Sequence, residues 1–341
     1  MRINVKYLLI IILAVLVVVS GMALYILHHY TDYDLSTVLK NPKTVYSVQN
    51  TQVVSSLSHV HHVFVIFEEN HDWSSIYNNV QEAPFINKTL LTEGAYAGNY
   101  HNISPEMGAL HPSEPSYILA ESGKIAFPDH TFTSDGLPGI NNSTSSHDHL
   151  TYLLDKGNLS WKSYQEDISG TDCPINQAGN YAPKHNPFVY FQDVSGNPPS
   201  TNNAYCQNHI RPLTELKGDL LTGNLANYTF ITPNIVNDMH SGSVKQADSW
   251  LSEIIPQITD SETYKKDGAI FITWDEGSGD ADENNPIGMI ILSPYIKPGY
   301  SNSLAYSHAS LVKTVEEIFH LSPLLGFAGD KKTVDLSDFF R

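Results

Sequence analysis

The apolar residues of this chain are concentrated in a few short runs, and these runs predict its regular structure. Residues 63–67, 228–232, 269–274 and 288–292 are rich in β-branched, aromatic and aliphatic side chains. Short continuous runs without polar alternation are typical of strands that are buried on both faces of a sheet. We therefore predict four central strands.

Two longer segments carry the period of a helix. Apolar residues recur every three to four positions in 243–258 and 309–319, as in an amphipathic helix. Strands that alternate with helices predict an α/β domain with a largely parallel sheet. Residues 125–215 are rich in Gly, Pro, Asn and Ser, and we interpret them as long loops and short elements of the kind that build sites.

Residues 8–27 form an apolar run of a different kind, because no charge interrupts it. At about 1.5 Å per residue, such a run matches a bilayer core of roughly 30 Å. Arg2 and Lys6 precede it, so the positive-inside rule predicts that the rest of the chain is extracytoplasmic. We expect a membrane anchor over 1–28, a stalk over 29–58 and a folded domain over 59–341; a cleaved signal peptide is the alternative.

The net charge of the chain limits the partners that it can bind. The chain has 36 acidic and 19 basic residues, for a formal net charge of −17 at pH 7. It would repel the phosphate backbone of a nucleic acid, so we expect no nucleic-acid partner. A phosphate-bearing substrate would need local positive charge, from a bound cation or from some of the 16 histidines.

Two features agree with a location outside the cytoplasm. Cys173 and Cys206 are the only cysteines, and they could form one disulfide or remain two buried thiols. Sequons for N-glycosylation, which also arise by chance, occur at Asn87, Asn102, Asn141, Asn142, Asn158 and Asn227.

Polar side chains follow three of the predicted strands. In strand order they are Glu69 and Asn70, then Asp238 and His240, then Asp275 and Glu276. Ligands of open α/β sheets bind outside the carboxyl ends of strands, so we expect these side chains to converge. The oxygen ligands among them suit hard divalent cations. As alternatives, the acidic residues could cap helices or form a turn, and the Asp–His pair could lie on the surface.

Ser113 lies in HPSEPSYILAESG, residues 111–123, between two prolines and ahead of a predicted helix that ends near Gly123. Pro112 and Pro115 restrict the backbone, so we expect Ser113 to be exposed, immobile and close to the N–H groups of a helix start. Such a position suits a nucleophile. The alternative is that Ser113 only begins a turn and caps the helix.

Two further histidines allow two interpretations. His308 precedes the last predicted helix, and His111 comes two residues before Ser113. Each could pack at a helix start, or it could contact a phosphate oxygen or protonate a leaving group.

Seen together, these segments resemble a known family in their order along the chain. The similar stretches include VFVIFEEN (63–70), HPSEPSYILAESG (111–123), KHNPFVYFQDV (184–194), FITPNIVNDMHSGS (230–243), ITWDEG (272–277) and YSHASLVKTVEEIF (306–319). They resemble the phosphoesterase family of acid phosphatases and phospholipases C, within the alkaline phosphatase superfamily.

The resemblance implies a three-layer α/β/α sandwich and assigns roles to individual residues. It implies that Ser113 is the nucleophile, that Cys173 and Cys206 are paired, and that residues 59–341 form the catalytic domain. Ser116 is a departure, because relatives usually have Asn there. The implied metal ligands are Glu69, Asn70, Asp275 and Glu276, and we expect Ser113 to adjoin the metal as well. The resemblance implies that His240 and His308, with Asp238 beside them, contact phosphate or act as acid–base groups, and we expect His111 to contact phosphate too.

We therefore expect metal-dependent hydrolysis of phosphate monoesters through a phosphoserine, outside the cytoplasm. The metal is open among Mg²⁺, Ca²⁺, Mn²⁺ and Zn²⁺. A phospholipase C-type phosphodiesterase is the alternative; its larger members carry extra C-terminal domains, whereas this chain ends soon after the last predicted helix. A non-catalytic metal-binding surface module is a further alternative.

Overall fold

The computed structural model describes residues 56–278 and 285–341, and an eight-stranded sheet lies at the centre of this part of the chain. The described residues form ten strands, of which eight belong to this sheet: β1 (His62–Glu68), β2 (Ala95–Ala97), β3 (Tyr100–His101), β4 (Trp161–Gln165), β5 (Ile210–Pro212), β6 (Tyr228–Thr232), β7 (Gly268–Trp274), β8 (Met289–Leu292), β9 (Ser301–Asn302) and β10 (Tyr306–Ser307).

The sheet is largely parallel, as predicted. Its strand order is β5-β4-β6-β1-β7-β8-β2-β9, and only β8 runs antiparallel to its neighbours. Strands β3 and β10 form a separate parallel pair. The four predicted strands correspond to β1, β6, β7 and β8, with bounds that agree to within one residue.

Parallel register brings the central strands to one edge of the sheet together. Val65 on β1 lies opposite Phe230 on β6 and Phe271 on β7. Glu68, the last residue of β1, lies opposite Trp274, the last residue of β7. The residues that follow these strands therefore leave the sheet at the same edge.

Helices cover both faces of this sheet. They are α1 (Trp73–Ile76), α2 (Leu91–Glu93), α3 (Ser113–Ser122), α4 (Leu150–Lys156), α5 (Gln192–Ser195), α6 (Ala204–His209), α7 (Leu216–Thr222), α8 (Val244–Thr259), α9 (Glu262–Asp267) and α10 (His308–Phe319).

These helices form two groups. Helices α3, α4 and α10 contact one another, and α8 contacts α7 and α9. Strands β6 and β7 are buried along their whole length, which requires cover on both faces. The α/β/α sandwich is confirmed.

The segment 125–215 contains more regular structure than its composition predicts. Strand β4 pairs with both β5 and β6, so it is an internal strand. Its sequence WKSYQ carries no apolar run, and Lys162 places its ammonium 2.6 Å from Asp219 Oδ2. Cys173 and Cys206 form a disulfide with a Cα–Cα distance of 5.3 Å.

The predicted anchor over 1–28, and the predicted stalk up to residue 55, lie outside the described residues. Within 56–278 and 285–341, no helix is both long and apolar enough to cross a bilayer. Among the sequons, Asn102 is buried, whereas Asn141 and Asn158 are exposed.

Candidate active site

The loops that follow β1, β6 and β7 are joined by backbone hydrogen bonds. The Glu69 N–H donates to the Asp238 carbonyl at 2.7 Å, and the Asp275 N–H donates to the Glu68 carbonyl at 2.9 Å. The Asn70 N–H donates to Asp275 Oδ1 at 3.1 Å. The predicted convergence of these strand ends is present in the structure.

Ser113 is the first residue of α3, and Gly123 ends that helix with φ +67°. This helix matches the prediction. The expected exposure of Ser113 is wrong, because the residue is 1% exposed. Its Oγ donates to Glu69 Oε2 at 3.1 Å, which links the helix start to the end of β1. The Glu114 N–H is occupied by Asp135 Oδ1 at 3.0 Å.

His185, which the sequence analysis did not select, lies at the centre of the site. Its Nε2 is 2.9 Å from Glu69 Oε1, and its Nδ1 is 3.0 Å from Asp238 Oδ2. The ring stacks on Tyr117 with centroids 5.2 Å apart. Burial opposes its charge, but Glu69 and Asp238 outweigh burial and raise the pKa of His185 to about 9.

The ion pair between His185 and Glu69 also shifts the pKa of Glu69. Burial alone would raise the pKa of Glu69, but His185 outweighs this effect and the pKa lies below its usual value. Glu69 is therefore an anion beside Ser113 and can accept a hydrogen bond from its hydroxyl.

Lys184 is the second residue that the sequence analysis missed. Its Nζ lies 2.9 Å from Asp135 Oδ2, 3.2 Å from His240 Nε2 and 3.4 Å from Ser113 Oγ. Lys184 and His185 belong to one 3-10 turn, Pro183–His185. Both residues fall within the family-like stretch KHNPFVYFQDV, which was the signal that could have identified them.

Asp238 and His240 take separate positions. Asp238 is buried; its Oδ1 accepts the His240 N–H at 2.8 Å while its Oδ2 faces His185. His240 is only partly buried, and burial lowers its pKa. Its contact with Lys184 places His240 near Ser113.

His308 is fully buried, and its expected contact with a phosphate stays a prediction. Its Nε2 lies 3.0 Å from the Asp275 carbonyl oxygen, and its Nδ1 lies 3.1 Å from the Tyr100 hydroxyl. Burial lowers the pKa of His308 to about 4. A neutral imidazole can donate to the carbonyl and accept from the hydroxyl, so His308 fixes the backbone of Asp275.

His111 and Glu276 form an ion pair, with Nδ1 2.6 Å from Oε2. The His111 side chain is 29% exposed and that of Glu276 is 7% exposed, so the histidine is the more accessible partner. Ser116 is fully buried and its Oγ donates to the Leu110 carbonyl at 3.4 Å. This position therefore supports the turn before α3.

Buried oxygens without hydrogen-bond partners indicate whether a cation fits this site. Asn70 Oδ1 and Asp275 Oδ2 have no hydrogen-bond partner among the described residues. Burial and the nearby Glu69 raise the pKa of Asp275 well above its usual value. Buried, closely spaced carboxylate oxygens are costly unless a positive charge neutralises them. The predicted oxygen set therefore fits a divalent cation.

A second set of potential ligands shares one residue with the first. Atoms of Glu69, His185 and His240 lie within 4.8 Å of one another. Each ring nitrogen of His185 already faces a carboxylate, so binding a metal there would break an ion pair. In the oxygen set, Glu69 Oε1 also faces His185 and Glu276 Oε2 faces His111, so a cation bound there would compete with ion pairs as well.

The sequence matches known proteins over most of its length. The model of the phosphoesterase family matches residues 89–322. Phosphatidylinositol-3-phosphatase of Mycobacterium tuberculosis is 28% identical over 277 residues, covering 80% of this chain and 81% of that protein. A phosphate-repressible acid phosphatase of Penicillium chrysogenum is 29% identical over 245 residues, covering 70% of this chain and 54% of that protein.

Solved structures with little sequence similarity share the fold. A member of the alkaline phosphatase superfamily from Vibrio parahaemolyticus superposes with a TM-score of 0.52 at 10% identity, over 79% of this chain and 69% of that chain. A phosphonate monoester hydrolase from Silicibacter pomeroyi superposes with a TM-score of 0.52 at 12% identity, over 82% of this chain and 76% of that chain. These likenesses support the three-layer architecture.

Proposed function

Because this chain belongs to the phosphoesterase family, whose members are phosphoric ester hydrolases, we propose that it hydrolyses phosphate monoesters through a phosphoserine on Ser113. One observation carries the proposal. The Ser113 hydroxyl lies 3.1 Å from Glu69 Oε2, beside the buried oxygens Asn70 Oδ1 and Asp275 Oδ2, which have no hydrogen-bond partner among the described residues. The relatives named as acid phosphatases favour the monoester reaction.

The residues that would hold the cation are Glu69, Asn70, Asp275 and Glu276, with Ser113 adjoining them. When bound, a divalent cation would supply positive charge that favours the ionised serine and offsets the charge of the phosphate. Glu69 Oε2 orients the serine Oγ by accepting its hydrogen bond. The burial of Ser113 excludes bulk water from the oxygen that reacts.

The proposed reaction has two steps. His240 takes the proton of the Ser113 hydroxyl, the serine oxygen forms a bond to phosphorus as the bond to the leaving alcohol breaks, and His240 passes the proton to the departing oxygen. Water then gives a proton to His240 as its oxygen bonds to phosphorus. The bond to the serine oxygen breaks, His240 returns the proton to that oxygen, and inorganic phosphate leaves. We assign the proton transfer to His240 because His308 uses both of its ring nitrogens inside the protein.

We also propose that the enzyme acts outside the cytoplasm, held to a membrane by residues 1–28. The charged flank of the apolar run and the disulfide between Cys173 and Cys206 support this location. Protease digestion of a C-terminal tag on intact cells tests it. Digestion without lysis is expected, whereas protection until the membrane is broken would contradict the orientation.

Metal removal and add-back tests the catalytic proposal. The full chain in detergent is stripped of metal, and p-nitrophenyl phosphate hydrolysis is followed as Mg²⁺, Ca²⁺, Mn²⁺ or Zn²⁺ is restored. A phosphatidylinositol phosphate is tested beside it, since a relative is named for that substrate. Rapid acid quenching should trap phosphate on the peptide that contains Ser113.

The alternatives give different results. Turnover of phosphodiesters with none of monoesters would favour the phospholipase C-type reaction. Binding of metal without turnover of either ester would favour a non-catalytic module. Turnover with the label on a residue other than Ser113 would reject the proposed nucleophile.

A further inference from the structure

Lys184 brings a fixed positive charge to the proposed nucleophile. Its Nζ lies 3.4 Å from Ser113 Oγ, within reach of any group bonded to that oxygen. The acidic residues gathered around Ser113 would otherwise repel an anionic substrate. Lysine therefore supplies charge that does not depend on a bound metal.

The chain holds this lysine from two directions. His185, the next residue, is buried and stacked on Tyr117, which fixes the backbone of the turn. Asp135 accepts from Lys184 Nζ through Oδ2 at 2.9 Å, and accepts the Glu114 N–H through Oδ1 at 3.0 Å. One carboxylate thus ties the lysine to the helix start that carries the serine.

The charge of the substrate determines how much such a group contributes. A phosphate monoester carries close to two negative charges above its second pKa of about 6, whereas a diester carries one. The attraction between fixed charges scales with their product, so a cation near the phosphorus favours the monoester more strongly. Lys184 is placed to make this distinction.

Taking the proposed function as a premise, we propose that Lys184, positioned by Asp135, sets the preference of this enzyme for phosphate monoesters over phosphate diesters. Lys184 contacts the additional anionic oxygen of the monoester. Asp135 acts only through the position of the lysine.

The test compares two substrates with the same leaving group, p-nitrophenyl phosphate and bis(p-nitrophenyl) phosphate. In Lys184→Met, which keeps the apolar stem, kcat/KM for the monoester should fall about 100-fold, while the diester should lose about tenfold or less. Lys184→Arg should keep the ratio of the two values within about threefold of the wild type, because it keeps the charge. Asp135→Asn should shift the ratio in the same direction by a smaller factor.

Binding of inorganic phosphate gives a readout that does not require turnover. By calorimetry, the affinity for phosphate should fall at least about tenfold in Lys184→Met and stay close to the wild type in Lys184→Arg. Thermal unfolding checks that each variant is folded. If Lys184→Met does not fold, Asp135→Asn and Lys184→Arg carry the comparison.

The outcomes separate the two proposals. Equal losses on both esters, with unchanged phosphate affinity, would overturn the role of Lys184 while leaving the hydrolase proposal intact. A wild type that hydrolyses neither ester with any metal would reject the proposed function. In that event, equal phosphate affinity in the wild type and Lys184→Met would overturn the inference as well.

Discussion

Two buried histidines in this chain each lie between a pair of carboxylates, and their surroundings differ. His185 lies between Glu69 and Asp238 at the carboxyl ends of β1 and β6. His149 lies between Glu121 and Asp193, with ring nitrogens 3.3 and 3.1 Å from them. The carboxylates outweigh burial in both places and raise each histidine pKa to about 9.

The difference lies in what else the carboxylates contact. Glu121 Oε1 accepts from both the N–H and the hydroxyl of Thr151 at 2.8 Å, and His149 stacks on Phe191 with centroids 4.0 Å apart. Glu69 instead faces a serine hydroxyl and lies near the raised-pKa carboxylate of Asp275. The first cluster, formed by His149, Glu121 and Asp193, is held by Thr151 and Phe191, although Glu121 Oε2 has no hydrogen-bond partner among the described residues. The second cluster borders the Ser113 hydroxyl and the carboxyl group of Asp275.

Replacing the nucleophile gives the largest expected effect. Ser113→Ala should lower kcat by about 10⁴-fold or more, because no oxygen remains to attack phosphorus. Steady-state hydrolysis of p-nitrophenyl phosphate measures it. Ser122→Ala is the matched control, since Ser122 lies at the far end of α3 and its Oγ donates to the Ile118 carbonyl. Retained activity in Ser113→Ala would reject the mechanism.

Removing one carboxylate of the site should reduce metal binding and stabilise the metal-free protein. Asp275→Asn takes away a buried carboxyl group whose ionised form is disfavoured by burial and by Glu69, and whose Oδ2 has no hydrogen-bond partner among the described residues. Metal content by mass spectrometry should fall to half or less of the wild type. The metal-free protein should gain about 1 kcal/mol in the free energy of unfolding. Asp193→Asn should leave the metal content unchanged, and a matching loss there would contradict the comparison.

Breaking the cluster of His149, Glu121 and Asp193 should lower the stability of the protein and leave its kcat unchanged. His149→Gln leaves Glu121 buried without its cationic partner, which should cost about 3 kcal/mol of unfolding free energy. Urea denaturation measures the loss. The folded fraction should keep its kcat, because His149 has no contact with Ser113 among the hydrogen bonds of the described residues. A large loss of kcat at full folding would show that the two clusters are coupled.

The same cluster predicts a smaller, pH-dependent effect. The folded pKa of His149 is about 9 against 6.5 for an ordinary histidine, so its stabilisation is fully present below pH 6.5 and is lost as pH rises through 9. The groups that face it are Glu121, Asp193 and the more distant Asp148. The stability difference between the wild type and His149→Gln should shrink by about 2–3 kcal/mol between pH 6 and pH 10. A constant difference would contradict this assignment.

The sequence predicted the strands that are buried on both faces of the sheet, because a continuous apolar run identifies them. Strands β1, β6 and β7 are short, continuous apolar runs, and few other arrangements could bury such runs on both faces. Strand β4 was missed because its position between β5 and β6 tolerates polar residues such as Lys162, whose ammonium reaches Asp219. The antiparallel direction of β8 was also beyond sequence, because direction depends on pairing and not on composition.

The site likewise combines residues that the sequence predicted with residues that it did not. Glu69, Asn70 and Asp275 were predictable because they directly follow central strands, and parallel strands end at one edge of a sheet. The structure places Lys184, His185 and Asp135 beside them from the segment 125–215, where no periodicity indicates position. Loops carry no pattern that predicts their tertiary contacts.

The sequence by itself determined the order of the elements, the buried strands and the acidic character of the strand ends, because hydrophobic burial and residue chemistry are local properties. The tertiary structure decided which histidine shares a contact with Ser113 through Lys184 and which is enclosed. From the sequence, His308 and His240 were equally good candidates for a phosphate contact. In the structure, His308 is fully buried against Tyr100 and Asp275, whereas His240 contacts Lys184. That distinction depends on distances between residues far apart in the chain, which only packing can set.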